Sequence, residues 1–199
     1  MEKFKPNENY HKRKSHLLRN LVISFSIIIL TTALIVGVIF IVKHYENTHI
    51  TVKTLEKHWS EYDYQACYDD GKLFLDTHPF NNSALIYYGY SAFYLAVSQT
   101  DSSISQNYFD DSIISLRLAL DKAKEKIKPQ IYYMLGRSYF YKNTNPSYYY
   151  ADLSIKYLNL AKEEGYKPVP NDIPEYLGLS YASLGMTMES ISSFTEALL

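Results

Sequence analysis

Between Leu21 and Val42 the chain runs for 22 residues without a charged side chain, LVISFSIIILTTALIVGVIFIV. As an α-helix rising about 1.5 Å per residue, such a run reaches across a hydrocarbon core of roughly 30 Å. Lipid offers no partner for backbone amides, so a single segment crossing it must be helical. Ser24, Ser26, Thr31 and Thr32 fit this reading, because their hydroxyls can bond back to carbonyls of the same helix. Gly37 has no second glycine at GxxxG spacing, so no helix-dimer face is expected. A cleavable secretory signal would have an apolar core of about 7–15 residues and a small-x-small cleavage site. Here the run is longer, Lys43, His44, Tyr45 and Glu46 follow it, and no cysteine lies near its end for lipid attachment. The expectation is an uncleaved transmembrane helix over residues 21–42.

Charge divides at the same boundary. Residues 1–42 carry Lys3, Lys5, Lys12, Arg13, Lys14 and Arg19 against Glu2 and Glu8, a net +4, while the remaining residues carry 14 basic and 19 acidic side chains, a net −5. The flank richer in Lys and Arg stays in the cytoplasm. Residues 1–20 therefore read as a basic cytoplasmic tail. Everything after the span is expected outside the cytoplasm, which in a bacterium with an inner membrane is the periplasm. A mildly acidic domain has no electrostatic footprint for nucleic acid.

Beyond the span, apolar and aromatic residues recur at three- and four-residue steps, which is a helical period. Three stretches align with one another: Leu85-x-x-Tyr88-Gly89-x-x-Ala92, Tyr132-x-x-Leu135-Gly136-x-x-Tyr139, and Pro174-x-x-Leu177-Gly178-x-x-Tyr181. A second pattern follows each: Ser112-x-x-x-Leu116-x-x-Ala119, Ser154-x-x-x-Leu158-x-x-Ala161, and Ser190-x-x-x-Phe194-x-x-Ala197. The steps from Ala119 to Gly136 and from Ala161 to Gly178 are both 17 residues, whereas the step from Gly to Ala within a unit is 30, 25 and 19 in chain order. The extra residues are expected in the polar stretches 98–107 and 142–148, read as loops between paired helices. Pro79, Pro129 and Pro168 are expected just after second helices, with Gly165 as a helix C-cap.

These motifs resemble the tetratricopeptide repeat, with W-x₂-L-G-x₂-Y in one helix and A-x₃-F-x₂-A in the next. The resemblance covers residues 47–199 and is closest over 171–199; no tryptophan stands at a repeat start, and Trp59 lies elsewhere. It implies an all-α protein: a transmembrane helix, then a solenoid of antiparallel helix pairs. Residues 43–80 read as a stalk and degenerate first repeat, 81–128 and 129–170 as repeats with loop insertions, and 171–199 as a truncated repeat. Stacked repeats need a polar capping helix, and none is recognisable after 171–199. The chain is therefore expected to be part of a longer protein.

The resemblance also implies a partner groove lined by the first helices. By phase its residues are Ile86, Tyr90, Phe93 and Tyr94, then Tyr133, Arg137, Phe140 and Tyr141, then Glu175 and Leu179. Aromatic residues with an arginine suit an interface hot spot. The Lys and Asn that related domains use to grip a terminal carboxylate are missing from these positions.

Signs of catalysis are lacking. The six histidines form neither H-x-x-x-H nor H-E-x-x-H, and Asp69/Asp70, Asp110/Asp111 and Glu163/Glu164 are adjacent residues about 100° apart on a helix. With 7 glycines in all and no phosphate-cradling loop, a nucleotide site is not expected. The single cysteine, Cys67, excludes an internal disulfide and reads as a small half-buried helix residue. The expectation is a non-enzymatic scaffold or adaptor, held in the membrane by residues 21–42, with no cofactor, metal or small-molecule substrate and with other proteins as partners. The alternative is that anchor and repeats serve an enzyme or sensor domain beyond Leu199.

Overall fold

A computed structural model describes residues 9–48, 50–142, 150–167, 169 and 171–199. Among them it is all helix apart from turns and connections. The chain divides into two compact units, one ending at His49 and the other running from Ile50 to Leu199.

The first unit contains α1, Asn9–Thr48. Its stretch Leu18–Val42 is long and apolar enough to cross a membrane, with a mean hydropathy of 2.9 and no buried residue. Thr31 donates to the carbonyls of Ile27 and Ile28 at 3.0 and 2.9 Å, and Thr32 to Ile28 at 2.7 Å. Both hydroxyls are thus satisfied within the helix, as expected. Asn9–Asn20 continue the same helix N-terminal to the expected span.

The second unit is a stack of helix pairs: α2 Val52–Ser60 with α3 Tyr64–Thr77, α4 Asn82–Ser98 with α5 Ser102–Leu120, α6 Lys128–Lys142 with α7 Ala151–Glu163, and α8 Asp172–Ser183 with α9 Thr187–Ala197. Each helix packs on the next in sequence, and one core runs through the last three pairs. The pairs close tightly because a glycine on the first helix faces a large residue on the second. A Cβ on Gly89 would stand 2.7 Å from Leu116 Cγ, and one on Gly178 would stand 2.8 Å from Phe194 Cδ1. Gly136 faces Leu158 in the same way.

Small polar residues mark the same register. Ser154 donates to the Gly136 carbonyl and Ser190 to the Gly178 carbonyl, each at 2.9 Å. The Cys67 thiol makes the equivalent bond to Leu55 at 3.5 Å. That places α2 and α3 in register with the other pairs, with Leu55 in the glycine position and Gly71 in the Leu/Phe position. Exchanging the large and small residues explains why residues 47–60 show no Leu-Gly pair. Rather than continuing α1 as a stalk, α2 belongs to the stack and has its own N-cap. Thr51 accepts from the Thr54 amide, and the Thr54 hydroxyl accepts from the Thr51 amide. Serines also meet between successive pairs: Ser112 Oγ lies 3.4 Å from Ser138 Oγ, and Ser154 Oγ lies 3.0 Å from Ser180 Oγ.

The segment 98–107 differs from expectation. Only Gln99–Asp101 lie outside helix; the Asp101 carboxylate accepts from the amides of Ser103 and Ile104 at 2.8 and 3.2 Å and starts α5 there. The extra residues lengthen the helices, so α4 and α5 have 17 and 19 residues where α8 and α9 have 12 and 11. The counterpart at 142–148 lies outside the described residues except for Lys142, as does Pro168. Pro79 follows the end of α3, but Pro129 stands in the first turn of α6, where a missing amide costs nothing. Gly165 caps α7 as expected: at φ +71° its amide reaches Lys162 while the Tyr166 amide reaches Ala161. Gly185 closes α8 in the same way, at φ +72°.

Candidate partner-binding surface

Helices α4, α6 and α8 are the first helices of three successive pairs, and α6 places Arg137 at the centre of a polar aromatic cluster. Arg137 Nη1 donates to Tyr133 OH at 2.8 Å; Nη2 donates to Tyr141 OH at 2.9 Å and Tyr176 OH at 2.8 Å. The Tyr141 and Tyr176 hydroxyls bond each other at 2.7 Å. Tyr133 OH donates to the Asp172 carboxylate, which lies 3.5 Å from Arg137 Nη1 and balances its charge. The guanidinium carbon is 4.5 Å from the centre of the Tyr176 ring and 5.4 Å from that of Phe93. Helical spacing places Tyr133, Arg137 and Tyr141 on one face at four-residue steps. Asp172 and Tyr176 come from the next pair.

A second aromatic group adjoins α4. The Trp59 ring centre lies 5.5 Å from those of Tyr64 and Tyr90 and 5.8 Å from that of Tyr94, and Tyr64 stacks on Tyr94 at 4.6 Å. Tyr90 OH and Arg137 Nε are buried and have no hydrogen-bond partner among the described residues.

Burial sorts the expected groove residues. Ile86, Tyr90, Phe93 and Tyr133 are in the core, between 2% and 8% exposed, because neighbouring first helices pack over them. Tyr94, Arg137, Phe140 and Tyr141 are half-buried, and Glu175 and Leu179 are exposed. Tyr94, Arg137, Phe140, Tyr141, Glu175 and Leu179 are therefore accessible from solvent, and so are Trp59, Tyr64 and Tyr176. The last three, with Asp172, were not singled out by phase. Tyr176 and Asp172 each meet a partner 39 residues away, a relation no local spacing carries.

Burial pushes the Tyr90 phenol up, and it pushes up Tyr133 and Tyr176 with help from their bonds to Asp172 and Tyr141 respectively. These hydroxyls stay neutral near pH 7, so none is an activated base or nucleophile. No group of three His, Cys, Asp or Glu side chains able to hold a metal occurs among the described residues.

No protein-family model matches this chain, and no curated protein matches it in sequence.

Proposed function

We propose that this chain is a membrane-anchored tetratricopeptide-type scaffold without catalytic activity, its basic N-terminus in the cytoplasm and its helix pairs outside. It serves as a structural or adaptor part of an envelope-spanning assembly, of the secretion, cell-wall or flagellar kind. The observation that carries the reading is the Arg137 cluster. A charge-balanced guanidinium held among four aromatic rings on the first helices of adjacent pairs, its side chain 19% exposed, is the composition of an interface hot spot. Phe140 and Tyr94 extend it with large area that costs few rotamers on binding.

The experiment is site-specific photo-crosslinking in the full-length chain in its native membrane. A benzophenone residue at Tyr94 or Phe140 is expected to trap one defined protein, and the same group at Leu73 or Ile114, exposed on α3 and α5, is expected not to. Equal yields at all four positions would reject the surface.

A further inference from the structure

The tyrosine hydroxyls around Arg137 are engaged: those of Tyr133, Tyr141 and Tyr176 accept from the guanidinium, and that of Tyr133 donates to Asp172. The aromatic group beside them differs. Trp59, Tyr64 and Tyr94 are half-buried with their rings in mutual contact. Tyr166, half-buried in the connection between α7 and α8, lies against Tyr133 with ring centres 5.4 Å apart. Among the described residues, neither the Trp59 indole N–H nor the hydroxyls of Tyr64, Tyr94 and Tyr166 have a hydrogen-bond partner. Tyr90, only 4% exposed, packs on Trp59 with its hydroxyl also unpaired. The Tyr166, Tyr87 and Tyr94 phenols are the electrostatic neighbours of that hydroxyl, and Tyr94 is that of Tyr166. An unpaired buried hydroxyl is costly, and this one sits within the aromatic face.

Each of these side chains offers an N–H or O–H donor on a flat apolar ring. None is charged: burial pushes the phenols of Tyr64, Tyr90 and Tyr166 up, so they stay protonated near pH 7. The indole N–H is a donor only. Such a face complements a segment that is uncharged, rich in free carbonyls and poor in N–H groups. A polyproline II segment has that composition. Its carbonyls make no internal hydrogen bonds, proline has no backbone N–H, and its rings dock in aromatic-lined grooves. An α-helix bonds its carbonyls internally, and an extended strand without proline carries one N–H for each carbonyl.

We propose that the face formed by Trp59, Tyr64, Tyr90, Tyr94 and Tyr166 takes a proline-rich segment of a partner protein in the polyproline II conformation. The chain's 7 prolines include no adjacent pair, so these residues hold no such run of their own. The segment is the chemical class of partner for the scaffold surface, and its assignment rests on that reading.

Trp59 is the only tryptophan in the sequence, so its fluorescence reports occupancy of this face directly. The test titrates the full chain in detergent micelles with an unlabelled oligoproline of about ten residues, which adopts polyproline II in water. A Gly-Ser peptide of equal length and a chitooligosaccharide serve as comparisons. A saturable change in Trp59 emission is expected with oligoproline alone. Tyr94→Ala should weaken it at least roughly tenfold. Tyr90→Phe and Tyr94→Phe, which keep each ring and remove the hydroxyl, should each weaken it several-fold, and circular dichroism melts show whether the variants fold. Ile114→Ala, at an exposed position of α5, should leave it unchanged. No saturable response to oligoproline, an equal response to the Gly-Ser peptide, a response to the chitooligosaccharide alone, or indifference to both Phe variants overturns the proposal. So do crosslinks from Tyr94 that stay within one polypeptide, because the chain itself would then occupy the face. If oligoproline fails while Tyr94 still traps one defined protein in the membrane, the scaffold surface stands and only its partner chemistry is rejected; if both fail, the surface is rejected with it.

Discussion

Gly136 lies so close to Leu158 that a Cβ on the glycine would stand 2.7 Å from the leucine Cγ and 3.0 Å from its backbone nitrogen. Leu158 is fully buried and cannot swing aside, and the nitrogen belongs to a helix. Gly136→Leu is therefore expected to destabilise the helical stack by about 1–3 kcal/mol through overpacking. Gly178→Leu should cost a similar amount. Gly37→Leu, with nothing within 4 Å of its added Cβ, should leave melting of the stack unchanged. Thermal melts of the three variants check this; equal melting temperatures would contradict the close approach.

Cys67 occupies a register filled elsewhere by serine, and burial pushes its thiol up. Cys67→Ser should accordingly fold with a melting temperature within a few degrees of the parent. The native thiol should react with maleimide at least about a hundredfold more slowly than the unfolded chain, since the attacking species is the thiolate. Comparing labelling rates with and without denaturant measures the ratio.

Stability and binding should separate between half-buried and fully buried residues of the stack. Truncating the half-buried Tyr94 or Phe140 to Ala is expected to weaken partner capture by more than about 1 kcal/mol with little change in melting. Leu158→Ala should do the reverse, losing about 2–5 kcal/mol of stability first. Arg137→Ala should affect both, because Asp172 would keep the Tyr133 hydroxyl but lose its cationic partner in a half-buried site. Paired melts and crosslinking yields distinguish the sets, and Tyr94 variants that unfold like Leu158 variants would assign Tyr94 to the core.

Alkaline pH should unfold the stack within a defined window. Burial pushes the Tyr68 phenol up to about 12, helped by its 2.5 Å bond to Asp111. A folded value above the ordinary one of about 10 means the fold favours the neutral phenol. That stabilisation is complete below about pH 10 and is lost as pH rises toward 12. Stability should thus hold between pH 7 and 9 and fall above 10, with a smaller fall in Tyr68→Phe. Denaturant titrations at each pH, with phenolate absorbance alongside, provide the measurement.

Orientation is testable on the intact chain. A reporter active only outside the cytoplasm, fused after Leu199, is expected to be active. Neutralising Lys12, Arg13, Lys14 and Arg19 should weaken that preference. Activity of a cytoplasm-only reporter at the same position would reverse the topology.

Much of this architecture could be read in the chain because glycine and its facing Leu or Phe leave a spacing signal, as Gly89, Gly136 and Gly178 do. The first pair was harder, since Leu55 and Gly71 exchange the large and small positions and conceal the register. Residues 102–107 looked like loop by composition, yet a single Asp101 cap suffices to make them helix. The groove phase grouped the half-buried Tyr94, Arg137, Phe140 and Tyr141 with the buried Ile86, Tyr90, Phe93 and Tyr133. Periodicity gives a direction around one helix, whereas burial depends on what the neighbouring helix covers. Trp59, Asp172 and Tyr176 join the site only through contacts between pairs.

The repeated serine contact bears on how such an array can change length over generations. Ser138 and Ser180 present the same small hydroxyl to the helix before them, 42 residues apart. Excising one such period in frame would bring Ser112 to face Ser180, and duplicating it would set two matched surfaces together. A gene encoding this stack can therefore gain or lose a unit without inventing a new interface, and a cooperative melt of the 42-residue deletion variant would demonstrate it.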